Sequence, residues 1–150
     1  MKTLNDFESL INENLKLLGV GKNQIEIFAE AGQVIEGGNQ ETEQGLHYGD
    51  IEYRLVLEVE NLPNGSFALL CLLVKRFVDL LERENLAAIG LDFSPHNIGK
   101  SQDIEITFGV RDALYLVEVQ NSPIEFNGKK WGFGAGGLDV AEALGAVNKV

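Results

Sequence analysis

Few residues in this chain have chemistry to offer: two histidines, one cysteine, a set of carboxylates and one glycine-spaced run. His47 stands three residues before Asp50, so an imidazole–carboxylate pair able to move a proton can be drawn there. The plainer reading is a polar strand end beside a loop. His96 has no second His, Cys or acid at a metal-ligand spacing such as H-x-x-x-H. Ser94 lies two residues before it, but no G-x-S-x-G elbow surrounds that serine. Cys71 is the one cysteine, which excludes an internal disulfide and a multi-cysteine metal site. Inside an apolar helical run it reads as a buried structural thiol with neither a base nor solvent beside it. Gly132, Gly134 and Gly137 fit G-x-G-x-x-G, yet a dinucleotide loop needs a strand before it, a helix after it and an acid about 20 residues on. Only 13 residues follow Gly137, so a flexible arm is the better account.

The carboxylates Glu26, Glu52, Glu58, Asp92 and Glu105 would gather on one side of a sheet if their strands pair. Paired acids do glycosidase chemistry only in a sugar cleft lined with aromatics. Alternation puts these on an open face, which reads as solvated or partner-binding surface. No catalytic residue, cofactor or metal is therefore expected.

The elements that must position these groups are organised around Gly45 to Leu86. Ile51, Tyr53, Leu55, Leu57 and Val59 alternate with Asp50, Glu52, Arg54, Glu58 and Glu60, the period of a strand buried on one face. Only Val56 breaks the pattern. After Pro63, with Asn64 or Ser66 placed to cap, Phe67 to Val74 opens a long helix. Its polar positions Lys75, Arg76, Asp79, Glu82 and Arg83 form one narrow stripe. Such a helix carries more apolar surface than one small sheet can cover.

Upstream, Thr3 to Leu18 predicts one amphipathic helix, with Thr3 and Asp6 as its capping box. A short strand over Gln24–Ala29 should turn Ile25 and Ile27 inward and Glu26 and Phe28 outward. The glycine-rich stretch 30–44 reads as a surface loop, with room for a brief strand at 33–35. Downstream, 90–94 predicts a strand, and Ile104, Ile106, Phe108 and Val110 mark a second amphipathic one. Gly109, Arg111 and Asp112 suggest a bulge that changes the phase before 113–119. The fold expected is α+β: a mostly antiparallel four- to five-stranded sheet, two helices packed on one face, and a glycine-rich C-terminal extension. The domain expected spans 1–119, and the extension 120–150 carries Phe126, Trp131, Phe133 and a weak helical pattern over Val140–Val147.

The chain has 150 residues, 45% apolar and 23% charged, enough for one domain with a real core. No run approaches the roughly 18 to 20 apolar residues of a membrane span. The start MKTLNDFES holds Asp6 and no apolar signal core, so a cytoplasmic protein is expected. Of the net charge of −11, the first sixty residues carry twelve acids against Lys2, Lys16, Lys22 and Arg54. Without clustered Lys and Arg, direct phosphate-backbone binding is a poor fit. The balance suits a basic protein partner, or a surface that repels nucleic acid.

GLHYGDIEYRLVLEVENL, the apolar helix after it, QDIEITFGVRDALYLVEV and the entry QIEIFAEAGQVIEGG together resemble the tail completion protein R family of contractile-tailed phages. The likeness covers about residues 4 to 119 and lies in pattern and order, at Ile25, Phe28, Gly32, Tyr48, Tyr53, Leu55, Ile104, Ile106 and Arg111. It implies a tail terminator: a homo-oligomeric, hexameric ring on the head-proximal end of the tail tube that stops growth and readies the tube for the capsid. Its partners would be the tail tube protein and the head–tail connector proteins, with no sequence-specific nucleic acid and no membrane. It would be cytoplasmic during assembly and then part of the virion tail. The family brings no catalytic residues. Interface candidates are Phe28, the loop 36–45, Tyr48, Glu52, Arg54 and Trp131. The competing reading is an acidic adaptor or immunity-type protein that masks a basic partner one to one.

Overall fold

The structure is a computed structural model and describes residues 2–36, 38–81, 86, 88–96 and 99–133. Glu82 and Arg83 of the expected helical stripe, Gly134 and Gly137, and the pattern over Val140–Val147 lie outside the described residues. The chain is α+β. A seven-stranded sheet runs in the order β1-β3-β5-β7-β6, with β2 added to β3 and β4 added to β5. The strands are β1 (Ile25–Ile35), β2 (Gln40–Thr42), β3 (Gly45–Pro63), β4 (Gly90–His96), β5 (Ser101–Glu118), β6 (Ile124–Phe126) and β7 (Lys129–Gly132). The helices are α1 (Lys2–Glu13), α2 (Leu15–Leu18) and α3 (Phe67–Asp79). The pairs β2–β3, β4–β5, β5–β7 and β6–β7 are antiparallel. The sheet exceeds the expected four to five strands because β2, β6 and β7 were not anticipated.

Two compact units share the long strands. Among the described residues the larger holds Thr3–Gly32 and Tyr53–Arg111; the smaller holds Gln33–Glu52 and residues 112–133. In the larger unit the single N-terminal helix expected over 3–18 is two. Asn14 interrupts it with φ −112° and ψ 9°, while its Nδ2 donates to the Leu10 carbonyl at 2.8 Å. That local bond competes with helix continuation. Thr3 is buried inside α1 and is not its N-cap. α2 ends at Gly19, whose φ of +75° is the left-handed C-cap that glycine adopts at no steric cost.

The alternation in β3 holds where it was read: Tyr53, Leu55, Leu57 and Val59 are buried. Val56, the exception, is buried as well, so part of the opposite face is also covered. Asn61, with φ +54°, then shifts the phase and sends Leu62 inward. In β5 the expected change of phase does not occur. Ile104, Ile106, Phe108, Val110 and Leu116 are all buried on one even-numbered parity. The apparent change of phase came from Tyr115 and Val117, apolar side chains that stand exposed.

α3 buries Leu70, Val74 and Val78, a stripe one residue wide at i, i+4 and i+8. Ser66 precedes it without a capping side-chain bond, and Asn64 instead donates its Nδ2 to the Gly99 carbonyl. The core closes on three rings. Phe7 of α1 meets Phe77 of α3 at 5.1 Å and Phe108 of β5 at 5.3 Å, edge to face, and Phe77 lies 6.2 Å from Phe108.

The smaller unit has its own core of Leu46, Leu116 and Trp131, with Tyr48, Ile124, Phe126 and Phe133 packed around it. β6 and β7 form a hairpin across Asn127 and Gly128, both at positive φ (53° and 73°), the two-residue turn Asn-Gly favours. The stretch expected as a loop contains β2, paired with β3 so that Glu41 faces Leu46. Gly45 makes the tightest approach: at φ +150° a Cβ on it would meet the Leu116 carbonyl oxygen at 2.4 Å. Neither strand can yield without breaking its ladder. Gly45→Ala is accordingly expected to destabilise by about 3 kcal/mol, from strain and overpacking together, read as a lowered urea midpoint at unchanged slope.

Candidate functional site

Two surfaces of the larger unit stand out, one acidic and one apolar, on opposite sides of its sheet. The acidic one is built by period-two alternation on neighbouring strands. Glu58 of β3 feels the charges of Glu26 and Glu30 on β1 and shares a side-chain hydrogen bond with Glu105 of β5. In register, Asp92 of β4 lies opposite Glu105. Arg54 answers Glu30 with an Nε–Oε1 contact of 2.9 Å, both ends well exposed, so the pair adds little stability. Glu58, Glu60, Asp92, Asp103 and Glu105 wall a shallow concavity of about 230 Å³. Among the described residues no three His, Cys, Asp or Glu side chains come together as a metal-binding set.

Burial, and then the charges of Glu26 and Glu105, push the Glu58 carboxyl above its ordinary value. Two carboxyls can share a hydrogen bond only when one holds a proton. Because the folded state then holds that proton more tightly than the unfolded one, stability falls as pH rises through the ordinary carboxylate range toward the raised folded value. Above that range the full penalty persists. Glu58→Gln is expected to raise stability at pH 7 by about 0.5 kcal/mol, the scale of a like-charged cross-strand pair. It should also flatten the mildly acidic limb of a Tm-against-pH curve.

The apolar surface arises because α3 is too narrow for the strands beneath it. Leu91 and Phe93 of β4 pair in register with Ile106 and Ile104 of β5, so they share the helix-side face with those buried residues. Yet Leu91 is 47% exposed and Phe93 52%. A trough of about 430 Å³ runs here, lined by Cys71, Val74, Val78, Ile89, Leu91 and Ile106. Phe93 leans edge to face on Phe67 at 5.7 Å. Cys71 is therefore half-buried on the trough wall, not fully enclosed as its sequence setting suggested. Burial raises its thiol above the ordinary value, which leaves little thiolate for nucleophilic chemistry.

The expected interface residues divide between the units. Phe28, between Glu26 and Glu30 on β1, is half-buried, and Arg54 lies on the same acidic side of the larger unit, joined to Glu30. In the smaller unit Tyr48 meets Phe126 at 5.9 Å, and Glu52 is half-buried on β3. Trp131 is 2% exposed and donates its Nε1 hydrogen to the Phe126 carbonyl at 2.9 Å. Its indole docks on this chain's own Leu46 and Leu116. The loop 36–45 contains β2, and Glu41 there holds Lys129 of β7 at 2.6 Å. The Lys129 hydrogen bond keeps the Glu41 carboxyl below its ordinary value.

His47 and Asp50 do meet, Nε2 to Oδ1 at 2.7 Å, with the imidazole stacked on Tyr115 at 5.0 Å. The stack and the bond hold the ring between two neighbours in the smaller unit. Sequence reasoning missed the trough, although Leu91 and Phe93 at i and i+2 on a short strand beside an over-apolar helix carried the signal.

Among the described residues no helix is long and apolar enough to cross a membrane. The family model described as P2 phage tail completion protein R (GpR) matches residues 1–134. No curated protein and no solved structure matches the chain.

Proposed function

The chain belongs to the P2 phage tail completion protein R family, and on that premise we propose that it ends the phage tail tube as a closed ring of identical subunits. The family match gives the tail-completion role. The observation that supports a ring is the uncovered apolar trough between α3 and β4 of the larger unit, where Leu91 and Phe93 stand about half exposed. Patches of that kind on a small domain mark contact surfaces, and a contact between unlike patches of identical chains closes into a ring when its rotation allows.

In this reading α1 and α3 both pack on the Phe108 side of the sheet, as the Phe7, Phe77 and Phe108 rings support. The acidic side then faces away from both helices. Turned toward the bore, Glu26, Glu58, Asp92 and Glu105 would let DNA pass without sticking, because like charge denies the phosphate backbone any counter-ion gain. The protein acts by shape and needs no catalysis. It covers the growing edge of the last tube ring and offers a new surface to the connector, as a component of the virion tail. The tube protein and the head–tail connector are its partners.

Light scattering on a size-exclusion column tests this. A closed oligomer, alone or with tube protein present, is expected. A monomer under both conditions would contradict it, and a one-to-one heterodimer with a basic partner would favour the adaptor reading instead.

A further inference from the structure

The sheet of the larger unit has two ends: its order is β1-β3-β5, with β4 outside β5. Among the described residues no strand pairs with the outer edge of β1 or of β4. β1 offers Ile25 to Glu30 before Ala31 interrupts its extended backbone at φ +52°. β4 offers Gly90 to Ser94 before Pro95, which has no N–H to donate. Unpaired edge donors and acceptors are a template for another strand unless charge, proline or a covering element blocks them. Apart from Asp92 on its acidic side, β4 carries no charge over those five residues.

The two edges also match face by face. On the helix side β4 presents Leu91 and Phe93, half in water, while β1 presents Ile25, Ile27 and Ala29, each partly buried. On the other side β4 presents Asp92 and Ser94, and β1 presents Glu26, Phe28 and Glu30. We propose that β4 of one copy pairs edge to edge with β1 of the next, so that the sheets of neighbouring subunits join into one. This rests on the ring reading and specifies its contact. Leu91 and Phe93 are then covered by the Ile25 and Ile27 side chains, which extends the apolar layer across the joint. The acidic sides also merge, placing Asp92 near Glu26 and Glu30. That repulsion opposes the joint, so added salt strengthens it by screening. Because the joined edges differ, the contact is heterologous and propagates in one direction, as closure into a ring requires.

Cysteine cross-linking tests the joint. In a Cys71→Ser background, position 92 or 94 is combined with position 26, 28 or 30, all on the same side of the sheet, and mild oxidation is followed by non-reducing electrophoresis. Intermolecular ladders up to the size of the ring are expected from at least one pair, with no more than trace dimer from either single cysteine. Strong dimers from a β4 cysteine alone would overturn the proposal in favour of symmetric β4–β4 pairing. A ring by light scattering that yields no ladder from any pair would also overturn it while leaving the ring standing. A monomer with no ladder would remove both.

Discussion

Phe108→Ala should bring the larger unit close to unfolding, with a loss of about 3–5 kcal/mol. Phe108 is 1% exposed, and its ring contacts both Phe7 and Phe77 within 6.2 Å. Truncation removes the transfer energy of one large ring and leaves a cavity between elements that cannot collapse together, since a strand of the sheet forms one wall. Set against the 5–15 kcal/mol total of a typical domain, the loss is decisive. Chemical denaturation should show a sharply lower midpoint, and Phe108→Leu, which keeps most of the volume, should recover more than half of it. An alanine variant within 1 kcal/mol of the parent would mean that this trio does not organise the core.

The double variant Leu91→Lys with Phe93→Lys should do the reverse: spare the subunit and abolish its assembly. Both side chains are about half exposed, so long cationic chains can reach water in the isolated fold, and losing the Phe93–Phe67 ring contact should cost only about 1 kcal/mol. At a subunit joint the same ammonium groups would be stripped of water opposite Ile25 and Ile27, a cost of several kcal/mol for each uncompensated charge. The expected result is a folded monomer by light scattering, its Tm lowered by only a few degrees. Intact rings from this variant would place the contact elsewhere on the surface.

What the sequence disclosed follows from the range of the forces involved. The alternation over Tyr53–Val59 and Ile104–Val110 is a local record of one-sided burial, and it appears in the structure where it was read. The polar, glycine-containing stretch from Glu30 to Ile35 carries no such record. It is strand because β3 pairs with it, and that pairing leaves no trace in the local hydrophobic pattern. Asn14 breaks the first helix through a bond to Leu10 that hydrophobic spacing does not report. The hairpin of β6 and β7 could have been found, since Asn127-Gly128 is a strong two-residue turn signal, but the glycine-rich composition around it reads as loop. Of the candidate site, the acidic face was legible because charges alternate on each strand. The trough was not, since it depends on how far α3 extends over β4. Trp131 illustrates the same limit: an aromatic in a polar tail looks like a docking residue until Leu46 and Leu116 are seen to bury it.

The central claim is that this chain terminates the tail. Electron microscopy of particles assembled without it tests that claim most directly. Tails of uncontrolled length, or tails lacking heads, are the result the account expects, with normal tails restored when the protein is supplied in trans. Virions of normal tail length with heads attached, made in its absence, would contradict the account.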